Sequence, residues 1–358
     1  VKLGTQVLSD AAHHLDLAYL ESIARQVAGL RERGVRVTIV SSGATGAGLA
    51  ELSLKERPKD LATLQAVAAV GQRRLMDGWA RAFAPLGLNV GQVLLTREDF
   101  DNRSRFLNLR NTILALHELA AVPILNENDT ISTDELIRIS FGDNDILAAL
   151  VTQSLGADLL VLLSVVDGVL DALRKRVPQF DSIEQAKTHL MPGKSVLGRG
   201  GMDSKLEAAR IVTSSGESMV VAHGRTPDVL SRICSGEDVG TLFCPRRARR
   251  TGRVRWIHAA RAKGRLHLDQ GASAALTQRN KSLLPAGITS VEGDFAAGDL
   301  VDILDPKQVV VARGLTNYSA EELRLVLGKR SDAVRRELPG RSYDEAVHRD
   351  NLVILQSS

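Results

Sequence analysis

The sequence predicts an α/β fold, a mostly parallel sheet sandwiched by helices, followed by a small β-rich domain. Three observations carry this: helical and strand periods alternate through the first two thirds, several strands are apolar throughout, and short extended segments replace the alternation near Cys244-Pro245. Fully apolar strands belong to sheets covered on both faces, and strand-helix-strand is the rhythm of parallel crossovers.

Taken in order, Val1-Lys2-Leu3-Gly4 reads as the end of a strand already under way, which implies a few residues upstream. Leu20, Ile23, Val27 and Leu30 recur at helical spacing and stop at Gly34, a C-terminal capping residue. Val35 to Val40 is expected as a buried strand, then a helix from about Ala62 to Phe83, a strand at Val90 to Leu95, a helix around Arg105 to Leu119 and a strand at Ala121 to Leu125. Leu159 to Leu163 follows as a strand, Ser204 to Thr213 as a helix and Ser218 to Ala222 as a strand. Beyond a boundary at about residue 245, giving domains 1–245 and 246–358, the runs Leu266 to Leu268, Ile288 to Val291, Leu300 to Leu304 and Val309 to Ala312 lie between Gly, Pro and Asp turns. That spacing suits a small β-barrel or sandwich.

Composition narrows the function classes. The 358 residues are 44% hydrophobic and 25% charged, which is globular rather than disordered. Cys234 and Cys244 form no C-x-x-C pair, so neither a zinc site nor a disulfide framework is indicated and a reducing, cytoplasmic setting is expected. No apolar run reaches the ~20 residues that span a bilayer, so no membrane partner is expected. The formal charge of +4 is uneven: from Arg246 onward 20 Lys/Arg face 13 Asp/Glu, a balance of +7, leaving −3 for the first 245 residues. The run Arg246 to Arg255 would give salt-dependent affinity for polyanions, although 3% aromatic residues argue against extensive base stacking.

In open α/β sheets ligands gather at the carboxyl ends of the strands, so the residues after each strand are the informative ones. Here they are polar and glycine-rich: Lys2, Gly4 and Thr5; Ser41-Ser42-Gly43-Ala44; Asn126-Glu127-Asn128-Asp129; Gly142-Asp143-Asn144-Asp145; Ser164; and Gly198 to Lys205. Such glycines let backbone N–H groups approach phosphate. The P-loop signature fails, because Thr188 stands where Gly193-Lys194-Ser195 would need a glycine, and Gly43, Gly46 and Gly48 do not give the dinucleotide fingerprint. The eight His are scattered, with His13-His14 and His223 on expected loops, and no metal-ligand set is read.

Six segments in order, Val1 to Thr5, Val40 to Ala44, Gly91 to Asp99, Asn126 to Asp129, Phe141 to Asp145 and Gly200 to Lys205, resemble the glutamate 5-kinases within the amino acid kinase family. Trp256, Leu268 to Ala272, Ser282 to Ile288 and Val291 to Gly293 resemble the PUA domain that many of them carry. The resemblance implies transfer of the γ-phosphoryl group of ATP, with Mg²⁺, to the side-chain carboxylate of L-glutamate, on the way to proline. It implies Lys2 and Lys205 as catalytic residues, Ser42, Asp129 and Asn144 on glutamate, and Lys2, Ser164, Val165, Arg199, Gly200, Gly201, Met202, Asp203, Ser204 and Lys205 on the nucleotide. Asp143 and Asp145 are read either as orienting Lys2 or acting through Mg²⁺-bound water, or as a helix cap. The resemblance further implies a homo-oligomer, dimer or tetramer, and an RNA-binding or regulatory tail; whether proline inhibits and whether RNA binds stay open. Two departures weaken the nucleotide side: Val165 stands where an acidic residue is usual, with Asp167 nearby, and Leu170 to Arg176 differs from the usual continuation. The competing readings are a related kinase acting on another acid, such as N-acetylglutamate or aspartate, or on uridylate, and an RNA-binding protein with a degenerate kinase domain.

Overall fold

The computed structural model describes residues 1–10, 14–131, 144–189, 201–245, 256–257, 260–279, 281–338 and 344–355. They divide into two units, Val1–Arg249 and Arg250–Ser358. The first unit runs β1 (Lys2–Leu3), α1 (Thr5–Leu8), α2 (Leu17–Glu32), β2 (Ile39–Ser41), α3 (Ala44–Glu51), α4 (Leu61–Phe83), β3 (Val90–Leu95), α5 (Glu98–Asp101), α6 (Arg103–Glu118) and β4 (Val122–Glu127). It continues through α7 (Asn144–Leu155), β5 (Leu159–Ser164), β6 (Gln179–Phe180), α8 (Ile183–His189), α9 (Gly201–Ser215), β7 (Ser218–His223), α10 (Val229–Cys234) and β8 (Thr241–Phe243).

The eight strands pair in the order β3-β4-β2-β1-β5-β7-β8-β6. Every adjacent pair is parallel except β7 and β8. Strand alternation then sorts the side chains. Leu3, Ile39, Ile124, Leu163 and Ala222 bury on one face with Leu20, Ile23 and Val27 of α2, Leu75 and Trp79 of α4 and Leu230 of α10. Each fully buried aliphatic there contributes roughly 1.5–3 kcal/mol. Lys2 lies in register with Val40 and Leu162 and therefore points to the other face, which α7 and α9 cover. A charged side chain thus enters the sheet's interior layer at its carboxyl edge.

Local chemistry explains where elements start and stop. Asp16, Asp60 and Asn102 cap α2, α4 and α6 by accepting from the backbone N–H groups of Tyr19, Thr63, and Ser104 with Arg105. The expected strand from Val35 is shorter than the apolar run suggests. Gly34, at φ +81°, and Val35 bond back to Arg31 and Leu30 in a Schellman-type cap, so Val35 belongs to the helix end and pairing begins at Ile39. Glycines also set the α3–α4 crossing: a Cβ at Gly48 would run into the Val67 carbonyl, and one at Gly71 into the Ala44 carbonyl.

The second unit contains β9 (Gly264–Leu268), α11 (Gln270–Arg279), β10 (Ile288–Gly293), β11 (Leu300–Leu304), β12 (Val310–Thr316), α12 (Ala320–Val326), α13 (Ser331–Glu337) and β13 (Val347–Ile354). Its strands form one mixed sheet in the order β10-β9-β11-β12-β13, with only β9–β11 parallel. Leu266, Ile303, Tyr318, Leu323 and Val347 build its core. Among these elements, α11 lies between two expected short strands and α12 and α13 follow the last of them, all in stretches that the sequence leaves unassigned.

Candidate active site

The carboxyl ends of β1, β2, β4 and β5 lie side by side in the sheet, and each is followed by a polar turn. Gly43 adopts φ +102°, a conformation that ordinary side chains rarely take, and so turns the chain from β2 into α3 directly after Ser42. The backbone N–H of Ser42 donates to the Leu3 carbonyl at 3.1 Å, tying this turn to the end of β1.

Two clusters of different character form at this edge. In the first, Lys2 Nζ lies 2.6 Å from Asp145 Oδ1 and Lys205 Nζ lies 3.0 Å from Asp145 Oδ2. All three residues are buried, Asp145 completely. Lys205 also donates to the Gly201 carbonyl at 3.0 Å, and the Ser204 hydroxyl donates to Asp145 Oδ2 at 3.2 Å. Burial pushes the Asp145 carboxyl up, but the charges of Lys2 and Lys205 and the hydrogen bonds they donate outweigh it and hold the group below the usual carboxylate range. Two ammonium groups thus face one carboxylate in a buried, poorly hydrated place. Such a place attracts a polyanion strongly, since a unit pair at ~4 Å is worth ~4 kcal/mol at an effective dielectric of ~20.

The second cluster is neutral. Asn144 Nδ2 donates to Ser42 Oγ at 2.8 Å and to Asn126 Oδ1 at 2.8 Å. Asn126 Nδ2 in turn donates to Gln72 Oε1 at 2.8 Å. Consecutive residues at the start of α7 therefore serve the two clusters, Asn144 the neutral one and Asp145 the charged one.

Of the residues expected from sequence, Lys2 and Lys205 meet through Asp145, and Ser42 and Asn144 meet directly. Asp129 is half-buried on the turn after β4. Ser164 ends β5, its carbonyl accepting from Gly224 N–H at 2.7 Å, and Val165 beside it is 39% exposed. Gly201, Met202, Asp203 and Ser204 form the first turn of α9. Asp143, Arg199 and Gly200 lie outside the described residues, as do Gly193 to Ser195, His13 and the basic run from Arg246 to Arg255. Asp167 is exposed and its charge acts on Arg176. The Asp145 carboxylate faces both ammonium groups. Asn126 and Gln72 were not read as site residues; the polar turn Asn126 to Asp129 hinted at the first, and nothing local marks the second.

Among the described residues no group of three or more His, Cys, Asp or Glu gathers, and the carboxylate of the charged cluster has an ammonium group on each oxygen. This donor set does not fit a resident Mg²⁺. A divalent ion suits this edge as the counter-ion that a nucleotide brings on its own phosphates.

The Amino acid kinase family matches residues 1–223, and the PUA domain matches residues 264–338. A Frankia casuarinae protein named glutamate 5-kinase is 46% identical over 99% of this chain and 96% of its own length. Proteins of the same name from Syntrophotalea carbinolica and Thermoanaerobacter sp. strain X514 are 43% and 40% identical over 99% of this chain, covering 96% and 97% of theirs.

Proposed function

The chain belongs to the amino acid kinase family, and from that premise we propose that it phosphorylates the side-chain carboxylate of L-glutamate with ATP, forming glutamyl 5-phosphate and ADP. The shared name of relatives at 40–46% identity supports the acceptor, and the buried Lys2–Asp145–Lys205 cluster carries the chemistry.

A carboxylate with a pKa of ~4.3 is already ionised near neutrality, so the reaction needs no general base to make its nucleophile. That accounts for a site with no histidine in either cluster. The carboxylate oxygen forms a bond to the γ-phosphorus while the bond from that phosphorus to the β–γ bridging oxygen breaks, and ADP takes the electron pair. The obstacle is repulsion between two anions, so catalysis is positioning and charge neutralisation. Lys2 and Lys205 are the groups for the second task. Asp145 holds both ammonium groups to one point before the nucleotide arrives, which lowers the cost of ordering two long side chains. ATP enters as its magnesium complex, along Ser164, Val165 and the first turn of α9, where backbone N–H groups suit phosphate. Ser42, Asp129 and Asn144 hold glutamate at the neutral cluster.

An intact ion cluster argues against a degenerate scaffold that serves only RNA. The +7 balance from Arg246 onward suits a polyanion-binding role for the C-terminal part of the chain alongside catalysis.

The test is ADP release with hydroxylamine trapping of the acyl phosphate, over glutamate, aspartate and N-acetylglutamate. Trapped product with glutamate and little with the others is expected. Turnover on N-acetylglutamate without glutamate activity would replace the assignment with another acid.

A further inference from the structure

We propose that Gln72 is a positioning residue that fixes, through Asn126, which end of the Asn144 amide faces the acceptor, and that this makes the pocket selective for an acid with a free α-ammonium group. The proposal rests on the glutamate reading above and adds a specificity determinant to it.

Gln72 sits on α4 and is 9% exposed. Its position is set by the neighbouring Gly71, where the helix backbone touches Ala44, two residues after Ser42. Its carbonyl oxygen accepts from Asn126, whereas its own Nε2 is buried without a hydrogen-bond partner among the described residues. A buried amide with one end unsatisfied costs stability that an apolar residue of similar size would not. The carbonyl end is what that cost retains.

The relay has a direction. With Gln72 as a fixed acceptor, Asn126 spends its N–H group there and presents Oδ1 to Asn144. Asn144 then spends both amide hydrogens, one on Asn126 and one on Ser42. What Asn144 keeps for a ligand is an oxygen, an acceptor only. Ser42, having accepted, keeps its O–H as a donor. The pocket so wired offers an acceptor to an ammonium group, backed by the charge of Asp129, and a donor to a carboxylate. Reversing the amides would make Asn144 present N–H to the ligand and commit the Ser42 O–H to the Asn144 oxygen, so the donor and acceptor ends of the pocket would change places and Asn144 would repel the ammonium group.

Gln72→Met and Gln72→Glu separate the possibilities, read by KM and kcat for glutamate, KM for ATP, the inhibition constant of glutarate, which lacks the amine, and thermal unfolding. At pH 8, Gln72→Met is expected to raise KM for glutamate ~tenfold, the effect of one lost hydrogen bond, with kcat and KM for ATP within about twofold. Glutarate inhibition should change less than about twofold, so discrimination falls. Gln72→Glu keeps an acceptor at the head of the relay and should hold KM for glutamate within about threefold. Equal weakening of glutamate and glutarate in Gln72→Met would reduce Gln72 to packing and overturn the proposal. So would Gln72→Glu losing selectivity, because an acceptor-only head would then be wiring the pocket wrongly. If Gln72→Met does not fold, the Gln72→Glu result alone decides between these. Absence of glutamate phosphorylation by the parent protein would strike the proposed function instead.

Discussion

The charged cluster and the neutral cluster stand one residue apart on α7, yet they solve different problems. Around Asp145 the structure tolerates three buried charges because each is paired, and on the proposed function the two ammonium groups are placed to meet phosphate. The side chains of Ser42, Asn126, Asn144 and Gln72 carry no charge themselves; they impose direction, and amides with fixed ends do that at lower desolvation cost. On the proposed function the contrast separates rate from recognition, although both clusters start from the same helix turn.

Substitutions can break that division. The largest effect is expected for Lys205→Ala, which removes a cation from the transferring phosphoryl group: kcat should fall ~10²–10³-fold in the ADP-release assay with KM for glutamate little changed. A Lys205→Ala protein that stays folded and keeps full turnover would remove the charged cluster from the mechanism.

Asp145→Asn should act less directly, lowering kcat ~10–10²-fold by loosening the two lysines. It also carries a pH signature. The folded-state pKa of Asp145 lies below its unfolded value of ~3.9, so its stabilisation is complete above that value and is lost as pH falls through the folded one. Unfolding midpoints measured from pH 7 down to pH 3 should therefore fall less steeply in Asp145→Asn than in the parent. A steeper fall would mean that the carboxylate is not the group held by the lysines.

The smallest effect belongs to the neutral side. Ser42→Ala deletes one hydroxyl and should raise KM for glutamate ~tenfold with kcat within a few-fold. A drop in kcat as deep as that of Lys205→Ala would erase the distinction between the clusters.

Much of the scaffold was legible because it follows local rules. The strand at Val90 to Leu95 and the helix ending at Phe83 fall where periodicity and capping put them. Helix α3 was not read, since Gly46 and Gly48 lower helix propensity; at Gly48 α4 approaches too closely for a side chain, a tertiary demand invisible to local pattern, whereas a Cβ at Gly46 would meet only the Thr5 side chain at 3.7 Å. The antiparallel β8 and the two-residue β6 are too short to carry a period. At the site, Lys2, Ser42, Asn144 and Lys205 stood out as polar residues after strands or at a helix start. Gln72 could not, because it lies 54 positions from its partner Asn126, inside a helix where amides are commonplace.

The bare contact between Gly71 and the start of α3 has a consequence for how this protein can be altered. With main chain resting on main chain, the two helices meet as a single plate, so Ser42, just before α3, and Gln72, within α4, share one support. Adding even a methyl group there would wedge the plate open and shift both side chains at once, so on the proposed function a glycine behind the pocket becomes a sensitive point for acceptor choice.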